Sequence, residues 1–384
     1  MASVTVSDRE SLLREIKAAQ PGDAILLEPG VYSDVSISNV KIAGDVTIMS
    51  RDPGAPAVIT DLTIKNSSGL NFSNIEFAAD WANGGTPLEV FDSKDIHFDG
   101  LNVHGSLDNN PSNDGNAMMI RNSSDVSVTN SEFQQFANGI AHLDSNNLLI
   151  SGNSIHDLRM DGIRGGGSSN VTITKNFFTD FFRQPGDHPD AIQFWNSNTS
   201  ASTRDITVSE NVFARGEGGP IQGIFITAQI TKLPYLNVTV TDNVMVGTMY
   251  HGITVAGAQG ALISGNIVAG AADMNSRITV DNSTGVTLTN NQATQYILDA
   301  SVEFAFQWAN EKLATPTDGG LSLLKQWSFA HEAVSGGLQA LIATSLDAFI
   351  PPTSPVSPTT WLPGGPDAPI VLPFDLGQFA FSFF

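Results

Sequence analysis

The chain has 384 residues, of which 41% are hydrophobic, with a formal net charge of -21 and no cysteine. This hydrophobic content excludes disorder for the chain as a whole, and the length is enough to bury a large core. The negative charge disfavours a nucleic-acid partner, because phosphate binding requires a basic face. Without cysteine the chain can form neither a disulfide nor a thiolate metal site.

The first forty residues predict a helix followed by a short strand. The segment SDRE at residues 7–10 has the form of a capping box, with Glu three positions after Ser. Apolar residues then recur at helical spacing as far as Ala19, and Pro21-Gly22 ends the helix. We expect residues 1–40 to cap an open stack of strands, whose first edge would otherwise be exposed.

The start of the chain carries no visible targeting signal. The segment MASVTVSDRE lacks the apolar stretch of a signal peptide, and no apolar run approaches the roughly 18 residues of a membrane span. We therefore expect no membrane span and an extracellular or virion-associated protein whose export route is not visible at its start.

A repeated phrase of alternating β-branched residues dominates the middle of the chain. Its copies begin between 22 and 35 residues apart, at Leu70, Ile96, Val126, Leu148, Val171, Ile206, Val238, Ala261 and Val286. A unit near 22–25 residues with alternating strands is typical of a solenoid. The unit is too short for a crossover helix, so residues 41–293 are predicted to form a parallel β-helix with one coil per unit.

Two ladders of equivalent side chains are predicted across these coils. The sixth position of the phrase predicts a buried amide ladder of Asn153, Asn176, Asn211, Asn243, Asn266 and Asn291. A second ladder precedes a small residue and an inward Ile on each coil, at Asn138, Asp161, Asp190, Gln222 and His251. Strand alternation then predicts that Arg164, Gln193, Phe225 and Thr254 project outward side by side. Trp195 and Thr227, two positions further on, are expected on the same side.

The longest spacings mark inserted segments. The coils that begin at Ile96, Val171 and Ile206 carry LDNNPSNDG, RQPGDHPD with NSNTSAST, and GEGGPIQ with QITKLPY. Insertions in solenoids tend to fall on the binding face, so these segments are predicted to wall a groove across the central coils.

The repeat ends at about residue 293, and residues 294–384 are predicted to form a capping or oligomerisation region. SVEFAFQWANEKL and LSLLKQW are predicted to be helices, followed by a further apolar helix pair or cap. Residues 351–369 are Pro-rich and extended. The apolar tail PIVLPFDLGQFAFSFF is expected to pack on the solenoid or on a second chain, or to serve as an uncleaved export signal.

The N-terminal segment DRESLLREIKAAQPGDAILLEPGVY and the repeated V-x-V-x-x-N-x-F coils resemble the right-handed parallel β-helix superfamily of pectate-lyase-like proteins. The resemblance covers about residues 1–293. It implies an all-β fold: a right-handed single-stranded parallel β-helix with an N-terminal capping helix and a mixed helical and extended C-terminal region. The superfamily includes polysaccharide lyases, pectin-type glycoside hydrolases, alginate epimerases and phage tailspike depolymerases.

The catalytic motifs of these families do not transfer cleanly. The chondroitinase-B-like and alginate-lyase group implies a Lys-Ser pair and Arg-His-Gly, whereas here Arg164 is followed by Gly165 and the Lys-Ser counterpart is missing. Pectin-type hydrolases would imply a double Asp, which is absent, and Tyr250-His251-Gly252 is only a partial match to their Gly-His-Gly.

The central coils nevertheless concentrate the polar side chains that glycan chemistry uses. The predicted catalytic residues are Asp161, Arg164, Asp187, His188 and Asp190. The predicted substrate-binding residues are Gln193, Trp195, Glu217, Gln222, Phe225 and His251. Two carboxylates can act as the acid and base of a glycosidase, whereas Asp161, Asp187 and Asp190 together could hold Ca²⁺ while Arg or His acts on a uronate. Asp161 and Asp190 could instead only cap turns.

We therefore expect an enzyme that cleaves an extracellular, acidic polysaccharide by β-elimination, with Ca²⁺ as the candidate cofactor and otherwise none. Glycoside hydrolysis or uronate epimerisation on the same groove is the alternative. A different class also remains open, namely a glycan-binding spike or adhesin without turnover, such as a phage tailspike. The expected partner is a polysaccharide, and the C-terminal region could form a homo-oligomer.

Overall fold

The computed structural model describes residues 2–79, 86–196, 199–228 and 233–331. In these residues each coil contributes one strand to each of three parallel sheets. The predicted parallel β-helix is confirmed. No helix of the described residues is both long and apolar enough to cross a membrane.

The N-terminal cap and first coils contain these elements in chain order: β1 (Ser3–Val6), α1 (Arg9–Ala18), β2 (Ala24–Leu27), β3 (Val31–Tyr32), β4 (Val35–Ser38), β5 (Lys41–Ser50), β6 (Val58–Ile59), β7 (Leu62–Lys65), β8 (Ser68–Ser73), β9 (Glu76–Ala78), β10 (Leu88–Phe91), β11 (Lys94–Asp99) and β12 (Asn102–His104). The central coils contain β13 (Asn116–Arg121), β14 (Ser124–Thr129), β15 (Glu132–Gln134), β16 (Asn138–Leu143), β17 (Asn146–Ser151), β18 (Ser154–Leu158), β19 (Ile163–Gly166), β20 (Ser169–Thr174), β21 (Phe177–Phe181), β22 (Asp190–Phe194), β23 (Arg204–Ser209) and β24 (Val212–Ala214). The last coils contain β25 (Gln222–Thr227), β26 (Tyr235–Thr241), β27 (Val244–Val246), β28 (Tyr250–Ala256), β29 (Ala258–Ser264), β30 (Ile267–Ala269), β31 (Ser276–Asp281), β32 (Thr284–Thr289), β33 (Gln292–Ala293), β34 (Gln295–Leu298), β35 (Glu303–Trp308), β36 (Glu311–Lys312) and α2 (Leu321–Ala330).

The three sheets follow the order of the coils. Sheet 1 has the order β1-β2-β5-β8-β11-β14-β17-β20-β23-β26-β29-β32-β35. Sheet 2 has the order β3-β6-β9-β12-β15-β18-β21-β24-β27-β30-β33-β36. Sheet 3 has the order β4-β7-β10-β13-β16-β19-β22-β25-β28-β31-β34. Because the chain passes through sheets 1, 2 and 3 in turn, equivalent residues of successive coils lie opposite one another.

The predicted phrase starts lie in one row of sheet 1. In register they run Leu70, Ile96, Val126, Leu148, Val171, Ile206, Val238, Ala261 and Val286. Each is nearly or fully buried, as is the third residue of the phrase, so the alternating pattern places every second side chain in the core. Each copy of the sequence repeat is therefore one coil, and equivalent positions of successive copies pair with each other.

The amide ladder is also confirmed. Each Asn donates through Nδ2 to Oδ1 of the next, as in Asn176 to Asn211 at 3.0 Å and Asn211 to Asn243 at 3.0 Å. Asn310 extends the ladder by one coil, accepting from Asn291 at 2.9 Å. The residue before each amide has a left-handed backbone, as at Lys175 with φ 58° and Gly152 with φ 70°. This turn aims the amide inward, where its buried N–H and C=O groups need partners.

A serine ladder at the turn from sheet 3 to sheet 1 was not predicted. Here each backbone N–H donates to the hydroxyl of the next coil, from Ser67 to Ser93 at 3.1 Å, Ser93 to Ser123 at 3.1 Å, and Ser123 to Ser145 at 3.2 Å. Serine is so common in turns that its recurrence carried little signal in the sequence. The ladder fixes a second edge of the coil stack.

Aromatic stacking fills the core beneath the central coils. The rings of Phe178 and Phe213 are parallel with centroids 4.9 Å apart, an arrangement worth about 1 kcal/mol beyond the burial of their area. His142 is fully buried, lies edge-on to Phe194 at 5.5 Å, and bonds Ser168 through Nδ1. Burial lowers the pKa of His142 to about 4, so it is a neutral core residue.

The N-terminal helix is confirmed as α1, with Leu12 and Ile16 buried. Its cap is Asp8 rather than the predicted Ser7, because the Asp8 carboxylate accepts the N–H of Ser11 at 2.8 Å. The boundaries of the three predicted domains stay predictions.

The helix predicted for SVEFAFQWANEKL is wrong. These residues form β35 and β36, which continue sheets 1 and 2 for one more coil. The alternation in EFAFQW and the amide of Asn310, which takes the ladder position, already contained the strand pattern. The helix predicted for LSLLKQW is confirmed as α2. The predictions for the Pro-rich segment and the apolar tail lie outside the described residues.

Candidate functional site

Two parallel rows of side chains, polar except for Phe225, cross the central strands of sheet 3. The leading row consists of Asn138, Asp161, Asp190, Gln222 and His251, and the outer row of Arg164, Gln193, Phe225 and Thr254. The pairing of β19, β22, β25 and β28 places the outer row side by side as predicted, but only Arg164 and Gln193 are partly exposed, since Phe225 and Thr254 are buried. A small residue follows each member of the leading row, since a Cβ on Gly162 would lie 2.9 Å from the ring of Phe178.

One hydrogen bond recurs between the two rows and joins a leading residue to the residue three positions later. Arg164 donates to Asp161 at 3.4 Å, and Gln193 donates to Asp190 at 2.6 Å. The third example joins the ring of His251 to the hydroxyl of Thr254 at 2.9 Å. The backbone therefore places an equivalent pair of side chains on successive coils, but the residue types of the pair differ from coil to coil.

Asp161 and Asp190 form a buried carboxyl pair on adjacent coils. They are 4% and 1% exposed, respectively. Asp161 uses Oδ1 to accept the backbone N–H of Asp190 at 3.0 Å and Oδ2 to accept Arg164. Asp190 accepts Gln193 on Oδ2, whereas its buried Oδ1 has no hydrogen-bond partner among the described residues. Gln222, on the next coil, also has a buried Oε1 without such a partner.

The two carboxyl groups differ in their electrostatic surroundings. Burial raises the pKa of Asp161 above its ordinary value of 3.8, while the Arg164 guanidinium opposes this rise. Burial and the adjacent charge of Asp161 raise the pKa of Asp190 well above 3.8. The pair therefore retains a proton on Asp190 at pH values where an exposed Asp is ionised. Since Oδ2 already accepts from Gln193, this proton belongs on the unpartnered Oδ1.

Asp187 lies in the inserted loop after β21 and holds that loop in place. Arg159 donates to both of its carboxylate oxygens, at 2.8 and 3.0 Å, and the backbone N–H of Gln184 donates to Oδ2. The Arg159 bonds help to lower the pKa of Asp187, against its partial burial. The structure thus gives this predicted catalytic residue an anchoring contact, and its partner Arg159 was not predicted from the sequence.

The inserted loops after β12 and β21 contact each other. Gln184 donates through Nε2 to the hydroxyl of Ser112 at 2.8 Å, although the two residues are 72 positions apart. Within the first loop, Asp114 accepts both the N–H and the hydroxyl of Ser106. Both insertions therefore lie on the same side of the central coils, beside the leading row.

Replacing Arg159 should loosen this loop. We expect Arg159→Gln to remove about 1 kcal/mol from the local stability of the loop, since both partners are only partly exposed. That loss corresponds to about fivefold faster trypsin cleavage after Arg183, measured by limited proteolysis. Arg14→Gln, which breaks the exposed pair of Arg14 with Glu15, is the control. An unchanged cleavage rate in Arg159→Gln would show that the ion pair does not hold the loop.

His188 and Glu217 are exposed residues of the inserted loops. Partial burial of its ring and the charge of Arg183 lower the pKa of His188, so the imidazole is neutral near pH 7. Glu217 donates its backbone N–H to the carboxylate of Asp180, which leaves its own carboxylate at the surface. Both residues come from the segments predicted to wall the groove.

The remaining predicted binding residues divide between the surface and the interior. Phe225 is buried, and its ring lies edge-on to His251 at 5.2 Å. Burial and the charge of Arg277 lower the pKa of His251 to about 4, which leaves it neutral. Trp195 is partly exposed and follows β22 directly, with its N–H bonded to the carbonyl of Gly165. Gln193, which donates to Asp190, and Gln222, which pairs with Asp190, are therefore the partly exposed members nearest the carboxyl pair, whereas Trp195 lies further along the strand.

The calcium site predicted at Asp161, Asp187 and Asp190 stays a prediction, and the donor set does not favour it. Both oxygens of Asp187 already bind Arg159, and Oδ2 of Asp161 accepts Arg164. Ca²⁺ requires several free oxygen ligands. Within the described residues, the group of metal-ligating side chains that converges is a different one, Asp45, Asp95 and His97.

Comparisons with known proteins identify the family of the fold. The family described as "Right handed beta helix region" matches residues 23–213 and 107–293, which together span more than half of the chain. The chain therefore belongs to this right-handed β-helix family. No curated protein sequence matches the chain.

Solved structures with the same fold have different activities. The surface adhesin PfbA of Streptococcus pneumoniae is similar with a TM-score of 0.55 and 14% identity, covering 77% of this chain and 88% of that one. A mannuronic acid specific polysaccharide family 6 lyase from human gut microbiota has a TM-score of 0.53 and 14% identity, covering 89% and 99%. The GH136 lacto-N-biosidase of Eubacterium ramulus has a TM-score of 0.53 and 12% identity, covering 82% and 68%. At these identities the likeness shows the fold alone, so the activity must be argued from the site.

Proposed function

We propose that this protein is an extracellular enzyme that cleaves a polysaccharide at the Asp161–Asp190 pair. The observation that carries the proposal is the buried Asp190, whose Oδ1 has no hydrogen-bond partner among the described residues and whose pKa is raised by burial and by the charge of Asp161. A buried polar atom without a partner is costly, and such atoms persist where a site must donate or accept during function. An adhesin and two carbohydrate-cleaving enzymes share the fold, which supports a glycan ligand.

The pair best supports glycoside hydrolysis. A hydrolase needs one protonated carboxyl group to donate to the leaving oxygen and one ionised carboxylate beside the sugar. Asp190 supplies the proton, because burial and the charge of Asp161 raise its pKa. Asp161 is the group that Arg164 stabilises in the ionised form. Arg164 keeps its contact with Asp161, and Gln193 donates to Asp190, so both side chains lie beside the pair where the glycan would bind.

β-Elimination on an acidic polysaccharide is the second candidate, favoured by His188. Its imidazole is neutral near pH 7 and lies two residues before Asp190, so it could abstract the proton next to a uronate carboxylate while Asp190 protonates the leaving oxygen. This candidate requires a positively charged side chain to bind the carboxylate of the uronate. Arg164 could do so only by leaving Asp161, whereas hydrolysis leaves that contact in place.

Incubation with a panel of neutral and uronate-containing polysaccharides tests the proposal. We expect new reducing ends without ultraviolet absorbance, which hydrolysis produces. Unsaturated, ultraviolet-absorbing ends would establish elimination instead. Whichever product forms should also form in the presence of a chelator, because neither candidate mechanism uses a metal. Retention of a glycan without products would contradict the enzyme proposal and show a binding protein of the adhesin type, and an altered uronate composition without cleavage would show an epimerase.

A further inference from the structure

A second cluster of ligating side chains lies on sheet 1, away from the carboxyl pair. Asp45 belongs to β5, and Asp95 and His97 belong to β11. One ligand atom from each of the three lies within 4.8 Å of the others. The two strands are separated by β8 alone, so the cluster joins two coils that do not pair directly.

Local backbone features bring the two carboxylates together. The register of sheet 1 is irregular between Lys41 and Val46, which displaces Asp45 from regular pairing. Gly69 occupies the intervening strand in the position equivalent to Asp95, one residue before the Leu70–Ile96 pair. Gly69 has φ +76°, and a Cβ there would meet the carbonyl oxygen of Gly44 at 2.2 Å. The position therefore accommodates no side chain between the two acids.

The imidazole of His97 is held in an orientation suited to a metal. Its Nδ1 bonds the hydroxyl of Ser127 on the neighbouring strand at 2.7 Å, while its Nε2 faces Oδ1 of Asp95 at 3.1 Å. When Nδ1 donates its hydrogen to Ser127, the Nε2 lone pair faces a carboxylate lone pair. With a cation between them, this is the usual arrangement of a His ligand whose other nitrogen is anchored, whereas in the opposite tautomer Nε2–H donates to Asp95 and no cation is required.

The charges around the cluster are not neutralised by nearby lysines. The carboxylate of Asp45 accepts no hydrogen bond from the described residues. Lys94 lies 3.6 Å from Asp125, and Lys41 donates to Asn66. Asn71, which pairs with His97 on the intervening strand, has a buried Oδ1 without a hydrogen-bond partner among the described residues. Two carboxylates and an imidazole thus converge, and among the described residues no lysine or arginine forms an ion pair with them.

From this convergence we propose that Asp45, Asp95 and His97 bind a first-row divalent cation such as Zn²⁺. Zinc accepts imidazole nitrogen and carboxylate oxygen together, whereas Ca²⁺ takes oxygen ligands. Two carboxylates neutralise the charge of one such ion, and the net charge of -21 raises the concentration of cations around the protein. The bound ion joins β5 to β11 across β8 and thereby stabilises the N-terminal coils.

Zinc titration of the full chain, stripped with a chelator, tests this proposal. Isothermal calorimetry should show a saturable Zn²⁺ site whose affinity falls at least about tenfold in Asp45→Asn and in His97→Gln, since each removes one ligand. Zn²⁺ should raise the melting temperature of the wild-type chain, and much less that of His97→Gln. Asp125→Asn is the matched control, because it lies in the same row one strand further along and outside the cluster.

Several results would overturn the proposal. These are the absence of saturable Zn²⁺ binding, an affinity unchanged in both ligand variants, or Ca²⁺ binding that is as tight as Zn²⁺ binding and insensitive to His97→Gln.

The NMR shift of the His97 ring nitrogens gives a further readout. Zn²⁺ should move the Nε2 resonance, and an unmoved resonance would place the ion elsewhere. The variants replace partly exposed side chains outside the core, and circular dichroism checks their folding.

Discussion

Asp190→Asn should lower the turnover of a cleaved polysaccharide about 10³-fold, because it removes the proton donor while keeping the shape of the side chain. The assay is the rate of product formation at saturating substrate. Asp205→Asn is the control, since Asp205 is a turn residue on sheet 1 with a left-handed backbone that Asn also adopts. Undiminished turnover in Asp190→Asn would remove the carboxyl pair from the mechanism.

The same substitution should make the folded protein more stable at neutral pH. In the unfolded chain the carboxyl group of Asp190 ionises near 3.8, whereas burial raises its pKa in the folded chain. As the pH rises from below 3.8 towards the folded value, the unfolded chain releases its proton first, so this group lowers the free energy of unfolding. The favourable contribution of Asp190 to the free energy of unfolding is complete below pH 3.8 and is lost as the pH rises through the pKa of the folded state.

The amide of Asn lacks this ionisation, so Asp190→Asn should melt at a higher temperature than the wild type at pH 7. Near pH 3 the two chains should melt at closer temperatures. Calorimetry at the two pH values measures the difference. A variant less stable than the wild type at pH 7 would show that Asp190 is ionised and stabilised in the folded state, contrary to the role proposed for it.

Asn211→Ala is expected to cause the largest loss of stability, about 4 kcal/mol. Asn211 donates through Nδ2 to the carbonyls of Ile173 and Ser209 and to Oδ1 of Asn243. Its own Oδ1 accepts the backbone N–H and the side-chain Nδ2–H of Asn176. Removing the amide leaves buried donors and acceptors on two coils without partners. Chemical denaturation followed by circular dichroism measures the change.

Asn113→Ala is the matched control for the ladder. Asn113 is an exposed loop residue that donates to Asp108, so its replacement should cost less than about 1 kcal/mol. If Asn211→Ala were as mild as Asn113→Ala, then water would have to replace the lost amide within the coil stack. A comparable loss in Asn176→Ala would confirm that the ladder acts as a connected set.

The sequence predicted the coil stack because each coil repeats the same local requirements. Strand alternation fixes which residues enter the core, and the buried amides recur at one position, so the row from Leu70 to Val286 was visible as a period. The strands β35 and β36 were missed because the aromatic residues of EFAFQW hid an alternating pattern. The helix predicted there followed composition more than periodicity.

The candidate site was predicted in part. Strand alternation predicted that Arg164, Gln193, Phe225 and Thr254 lie side by side, and the pairing confirms this register, but the burial of Phe225 and Thr254 could not be read from the alternation. The ion pair of Arg159 with Asp187 was not foreseen, because it depends on how an inserted loop folds back over a preceding turn.

The cluster of Asp45, Asp95 and His97 was also missed, since its residues lie on different coils and match no short motif. A register irregularity in β5, a glycine on β8 and a serine on β14 bring it together. Such combinations can be read only once the pairing is known.

The stacking of coils has a consequence for stereochemistry. Groups in one row are spaced in whole steps of one strand separation, about 4.8 Å, and Asp161 and Asp190 lie one step apart. Glycosidases with carboxyl groups about 5–5.5 Å apart retain the configuration of the sugar, whereas those with a separation of about 6.5–9.5 Å invert it. If the pair hydrolyses glycans, the spacing between adjacent coils therefore favours retention of the sugar configuration. One inserted coil between the two residues would increase their separation by one strand spacing and favour inversion.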